Sequence, residues 1–193
     1  MRDLLEKEEK AVDERQEAVG KGKEEKTVDE SQKVSEKEGT LVNEMRLCFL
    51  SKGENESLAR LAVAGLTAPY DPTMDVLDDI RTAVSEAVTN AIIHGYEGME
   101  DGIVYVSALL YRREDQSCLL QVDVEDTGVG IENVEKAMEP LYTTAANGER
   151  AGMGFAFMEA FTDRLEVKSE LRKGTCVSMW KELTGPEAST YEG

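Results

Sequence analysis

Histidine is nearly absent from this chain: His94 is the only one, and the three cysteines, Cys48, Cys118 and Cys176, are scattered. A Cys–His catalytic pair would have to use that single imidazole, and no run of Cys and His has metal-ligand spacing. An odd number of dispersed cysteines reads as reduced, half-buried thiols in a cytoplasmic protein. Basic residues are also scarce, 22 against 40 acidic ones, for a net charge of −18. Such a chain does not bind nucleic acid or an anionic membrane through bulk charge. No stretch is long and apolar enough to span a bilayer, and no signal-peptide core opens the sequence. The phosphate-binding pattern G-x-x-x-x-G-K-[ST] is missing, which excludes a P-loop, and so is the HRD and DFG set of the eukaryotic-type kinases.

Aromatic residues are missing altogether from positions 1–39, where more than half of the residues are charged. That segment cannot bury enough apolar surface to offset its ordering entropy. Leu4/Leu5, Ala11/Val12 and Ala18/Val19 recur every seven residues, a pattern too short for a firm coiled coil. The expectation is a frayed, solvated helix and a disordered linker. Residues 40–184 then form one folded domain, and 185–193 a polar tail.

What is present is a series of elements carrying polar residues in unusual places. Met45–Leu50 predicts a first strand. A turn at Lys52–Asn55 leads to a helix through Leu58, Leu61, Ala62 and Leu66, with Asn55 or Ser57 as cap. Asp71 should cap the next helix, with Pro72 in its first turn. That helix is the centre of the chain. Leu77, Ile80, Val84, Ala87 and Ala91 line one face. Glu86 and Asn90, four residues apart, project together beside that face, where unpartnered polar groups are costly. Gly95 ends the helix, and His94 reads as structural.

Ile103–Tyr111 and Cys118–Glu125 read as a pair of strands. In the second, Leu120, Val122 and Val124 alternate inward, and Asp126 continues the inward phase. A carboxylate there needs a donor. It is followed by Thr127-Gly128-Val129-Gly130, a turn open to a ligand. A short helix at Glu132–Met138, a break at Pro140 and a polar loop over Thr143–Ala151 come next. Gly152-Met153-Gly154 opens a helix, Phe155–Phe161, whose N-terminal amides suit an anion. Arg164–Leu171 and Gly174–Glu182 read as a closing hairpin.

Singly these signals are common; their order is informative. A helix with Glu86 and Asn90, a strand ending Asp126-x-Gly128-x-Gly130, then Gly152-x-Gly154, then Gly174-Thr175 resembles the N, G1, G2 and G3 boxes of the GHKL (Bergerat-fold) ATPases. The longer segments Asn55–Arg60, Asp71–Asp75, Val84–Glu97, Glu139–Thr144 and Glu149–Phe155 resemble the sporulation anti-sigma F factors, a serine-kinase family, over about residues 43–184.

That resemblance implies an α+β fold: a two-layer α/β sandwich with a mixed, mostly antiparallel sheet and helices on one face. It implies ATP and Mg²⁺, with Asn90 on the metal, Glu86 as catalytic base and Asp126 accepting from the adenine amino group. Gly128 and Gly130 would lie close to the base, Gly152 and Gly154 would hold phosphate oxygens, Arg150 would reach the γ-phosphate, and Thr175 would be a second contact near adenine. Arg60 would meet protein partners. Those partners are a sporulation sigma factor and an anti-anti-sigma antagonist that the kinase phosphorylates on serine, and the protein would be a homodimer. A general-stress anti-sigma B type kinase and an ATP-binding clamp with little kinase activity are the alternatives. Residues 1–39 have no counterpart in the family, which leaves a lineage-specific tail or a translation start nearer Leu41, Val42 or Met45.

Overall fold

A computed structural model describes residues 38–139 and 153–183. By its internal contacts the chain divides into Met1–Thr40 and Leu41–Gly193, and the fold is that of the second unit, with Thr40 opening its first strand. The readings of 1–37, of Pro140 with the loop Thr143–Ala151, and of the tail after Leu183 lie outside the described residues.

The elements run in the order β1 (Thr40–Leu50), α1 (Glu54–Thr67), a 3₁₀ turn (Ala68–Tyr70) and α2 (Met74–Asn90), then a π turn (Ala91–Gly95), β2 (Ile103–Arg112) and β3 (Cys118–Asp126), and finally α3 (Val134–Ala137), α4 (Gly154–Phe161), β4 (Arg164–Glu170) and β5 (Gly174–Leu183). The five strands form one sheet in the order β1-β2-β3-β5-β4. The pairs β2–β3, β3–β5 and β4–β5 are antiparallel. The fold is α+β, as the resemblance implied.

Alternation along the strands builds the core. Val106, Val124, Val177 and Val167 face one another across four strands, and Ala108, Val122, Met179 and Leu165 make the next row. Direct cross-strand neighbours share a face, so these rows are continuous apolar stripes. α2 lays Val76, Ile80, Ala83, Val84, Ala87 and Val88 onto that face, and it packs between α1 and α4. Val76 takes the buried place expected of Leu77, which is only half-buried. On the opposite strand phase, Tyr111, Leu119 and Trp180 form a second buried cluster, and the Arg164 guanidinium stacks 3.6 Å from the Trp180 ring centre.

Two helix starts differ from the sequence reading. α1 begins at Glu54 with Gly53 at the N-cap and no side-chain cap. Asn55, already inside the helix, instead donates Nδ2 to Leu50 O at 2.8 Å. Glu54 and Glu56 complement the exposed amides of the first turn electrostatically. Nor does Asp71 cap α2. Its backbone is left-handed (φ 50°) and closes the 3₁₀ turn. Thr73, two residues on and extended at ψ 159°, reaches back to accept from Val76 N; an extended residue is what an N-cap requires.

Elsewhere the elements differ from the reading in length. β1 begins five residues before Met45. The short helix is confined to Val134–Ala137, capped by Asn133 Oδ1 on Lys136 N at 2.8 Å. None of the described helices is long and apolar enough to cross a membrane.

Candidate functional site

Glu86 and Asn90 stand one turn apart near the C-terminal end of α2, both half-buried. Neither side chain makes a hydrogen bond or ion pair with any described residue. The group facing them is the start of α4. A Cβ built at Gly154 would lie 3.1 Å from Asn90 Nδ2 and 3.2 Å from Glu86 Oε2. No side chain caps α4, and its first turn carries no acid. An amide, a carboxylate and the first backbone N–H groups of a helix therefore converge, and among the described residues Gly154 is what stands between them. That is the composition of a site for an anion and its counter-cation. Among the described residues no group of three or more His, Cys, Asp or Glu could hold a metal, so a cation here would take much of its ligand shell from the anion it accompanies.

The second half of the site hangs on Asp126. Its carboxyl is buried, 4% exposed. Burial pushes its pKa up, against the backbone N–H groups of Gly128 and Thr175, which hold it down, while the charge of Glu125 adds to the rise. Gly128 N donates to Asp126 Oδ1 at 2.9 Å. The carboxyl lies flat against Gly95, where a Cβ would sit 2.8 Å from Asp126 Oδ1. Thus the π turn that ends α2 brings the helix backbone onto the end of β3; π turns are often found at functional positions.

The glycines of the Asp126 turn are required first by the protein's own backbone. A Cβ at Gly128 would stand 1.9 Å from Gly95 O, and one at Gly130 (φ 72°) would stand 2.2 Å from Glu170 O. The closeness lets Val129 N donate to Gly95 O at 2.9 Å and Arg172 N to Val129 O at 2.7 Å. Gly128→Ala should therefore cost about 3 kcal/mol through overpacking against rigid backbone. Gly65→Ala, in the last turn of α1 with nothing within 4 Å, should instead stabilise by roughly 0.5–1 kcal/mol. Urea unfolding of the two variants checks the contrast; equal midpoints would show the turn to be more pliant than its contacts indicate.

Two supporting residues escaped the sequence reading. Tyr96 is buried, its hydroxyl donating to Ile103 O and accepting from Thr127 N at 3.0 Å. It ties the end of the helix to the start of β2 and to the turn after β3. Ser169 is bonded to Ile131 N, Gly174 O and Thr175 Oγ1. Its signal was available: Ser169 follows Leu165 and Val167 in the inward phase of β4 just as Asp126 follows Val124 in β3.

Arg60 lies on α1. Its Nη1 is 3.4 Å from Glu56 Oε1, which also accepts from Ser85 Oγ on α2. Arg60 keeps 37% of its side chain exposed, so it is held in place while still presenting a cation to solvent. Ser85 precedes Glu86, and α1 and α2 are therefore joined by a polar bond next to the candidate base. Arg150 and Gly152 lie outside the described residues. The cysteines are free: Cys118 is buried, Cys176 half-buried and Cys48 exposed, so half-burial holds for one of the three. Burial, reinforced by the Asp123 charge, pushes the Cys176 thiol up to about 11, which leaves it protonated and inert at neutral pH.

The sequence model of the histidine kinase-like ATPase domain matches residues 49–181. The anti-sigma F factor of Clostridium acetobutylicum is 53% identical over 143 residues, 74% of this chain and 96% of that protein. That of Clostridium novyi is 49% identical over 145 residues, 75% of this chain and 98% of that protein. Among solved structures, the RsbU and RsbW domains of Rv1364c from Mycobacterium tuberculosis superpose with a TM-score of 0.52 at 18% identity, over 75% of this chain and 34% of that one. That likeness concerns the fold alone.

Proposed function

Because the chain belongs to the anti-sigma F factors, a family built on the histidine kinase-like ATPase domain, we propose that it binds ATP with Mg²⁺, sequesters a sporulation sigma factor and phosphorylates a serine of a small anti-anti-sigma antagonist. The observation that carries the reading is the Glu86–Asn90 couple, without a hydrogen bond to any described residue, facing the start of α4. Half-buried polar groups left without partners are costly in a protein that never fills the space between them.

The residues fit ATP and its metal. Asn90 offers a hard carboxamide oxygen, Gly154 leaves room for phosphate oxygens beside it, and Asp126 supplies a buried acceptor for the adenine amino group. When bound, Mg²⁺ supplies neutralisation of the phosphate charge as it develops. The protein's own contribution is position: Glu86 takes the proton of the serine hydroxyl while Oγ attacks the γ-phosphorus and ADP leaves with the bridging oxygen. Arg150 is assigned to the γ-phosphate and Gly152 to the phosphate cradle on their sequence positions. Arg60, exposed and braced by Glu56, is assigned to partner proteins. The kinase domain is placed at residues 40–184, and the working unit is taken to be a homodimer.

The test is a transfer assay with the full chain, γ-labelled ATP, Mg²⁺ and a small anti-anti-sigma antagonist protein. Labelled phosphoserine on the antagonist is the expected product. A chain that forms the sigma complex yet labels nothing would be a nucleotide-dependent clamp, and the kinase reading would fall.

A further inference from the structure

Asp126, Thr175 and Ser169 form one row across three strands. Thr175 is the register partner of both Asp126 on β3 and Ser169 on β4. The row continues the inner face that Val124, Val177 and Val167 occupy one step earlier. Three polar side chains therefore replace three apolar ones at the end of the sheet where Asp126 meets Gly95.

The hydrogens of this row are determined by counting donors. Ser169 Oγ has one proton and two lone pairs. Ile131 N donates to it at 2.7 Å, and Gly174 O, 3.0 Å away, can only accept. The third contact, to Thr175 Oγ1 at 2.9 Å, can then be made only if Thr175 donates. With that proton committed, Thr175 has nothing but lone pairs left for the site. Beside it stands Asp126, acceptor-only when ionised and a directly opposite neighbour about 4.5–5.5 Å away at Cβ.

We infer that Ser169 is a specificity-positioning residue. By holding the Thr175 proton it turns the Asp126–Thr175 pair into a double acceptor that admits a 6-amino purine and rejects a 6-oxo one. The inference rests on the reading of Asp126 as the base contact of an ATP site. An exocyclic amine meets two acceptors with two N–H groups; a carbonyl in the same place meets only lone pairs. Freed from Ser169, the Thr175 hydroxyl can rotate and donate to that carbonyl, so discrimination relaxes.

The experiment compares equilibrium affinities of ATP and ITP, which differ at position 6 (amine against carbonyl) and at the adjoining N1 (lone pair against N–H), for the full chain. Calorimetric titration in the presence of Mg²⁺ needs no phosphate transfer. Ser169→Ala should lower the ATP-to-ITP affinity ratio about tenfold, the worth of one hydrogen bond. Ser169→Thr, which restores a hydroxyl, should keep the parental ratio. Thr175→Val, the same shape without the hydroxyl, should lower the ratio as Ser169→Ala does, and it stands in if that variant fails to fold. If both nucleotides weaken together in Ser169→Ala, or the ratio is unchanged in Thr175→Val, the inference is overturned while the ATP site stands. If the parent chain binds neither nucleotide, the ATP reading falls and takes this inference with it.

Discussion

Glu86→Gln should bind ATP as tightly as the parent chain and transfer its γ-phosphoryl to the antagonist at least a hundredfold more slowly. The first half follows from what Glu86 does in the fold, which is little. It is half-buried, makes no hydrogen bond to a described residue, and Gln has nearly the same volume. The second half follows from what Gln cannot do. A carboxamide does not take a proton from an attacking serine, and a positioned base contributes about 10²–10⁴ to such a step. Transfer of label from γ-labelled ATP, together with a nucleotide titration, separates the two halves. Transfer at the parental rate would remove Glu86 from the chemistry. Loss of nucleotide binding would make it a ligand for the metal or phosphates instead.

Asp126→Asn should weaken ATP binding about a hundredfold and leave the empty protein at least as stable at pH 7. A hydrogen bond to a charged group is worth roughly 1.5–3 kcal/mol, and the substitution turns half of the acceptor face into a donor aimed at the adenine amine. Stability moves the other way. Folding raises the Asp126 pKa above its ordinary 3.8, chiefly through burial. The folded state then holds a proton that the unfolded chain has released, so stability falls as pH rises from the ordinary carboxylate value through the raised one. Above that window the parent carries the full cost of a buried charge; Asp126→Asn never does. The stability advantage of the variant should therefore shrink as pH is lowered through the folded pKa of Asp126. Urea midpoints over a pH series from 7 down to the ordinary carboxylate value check the sign. A variant less stable than the parent at pH 7, or one that keeps parental ATP affinity, would show that the carboxyl serves the fold and not the ligand.

The two variants divide the site by the kind of interaction each residue lacks. Glu86 and Asn90 are short of partners among the described residues, while Asp126 is held by backbone N–H groups and stabilised by them only in part. Gly154, Gly95, Gly128 and Gly174 let these groups come close. At Gly174 (φ 103°) a Cβ would lie 2.0 Å from Asp126 O. The hairpin turn and the end of β3 therefore depend on the same absence of a side chain.

Much of this arrangement was legible in the residues. Period-2 alternation placed Asp126 inward, and period-3.6 spacing set Glu86 beside Asn90 on the flank of the apolar stripe, because both patterns follow from backbone geometry alone. The order of glycine turns and helices indicated the fold through its resemblance to the GHKL ATPases. The caps were not legible: Asp71 and Asn55 are good cap residues by type, yet Thr73 and Gly53 hold those places, since capping depends on φ and ψ at one residue. Ser169 and Tyr96 were missed for another reason. Each acts through partners more than five residues distant in sequence, Tyr96 on Thr127 and Ser169 on Ile131, and only closure of the sheet makes them neighbours.

The sequence by itself therefore determined which residues could do chemistry: a carboxylate and a carboxamide on one helix, an inward acid at a strand end, and glycine turns beside them. Local periodicity carries that information. The tertiary structure decided which of them meet. It set Gly154 against Glu86 and Asn90, laid Gly95 against Asp126, and ran the hydrogen-bond row through Thr175 to Ser169. Those contacts join residues of different elements, and their existence depends on strand register and helix packing, which no local pattern specifies.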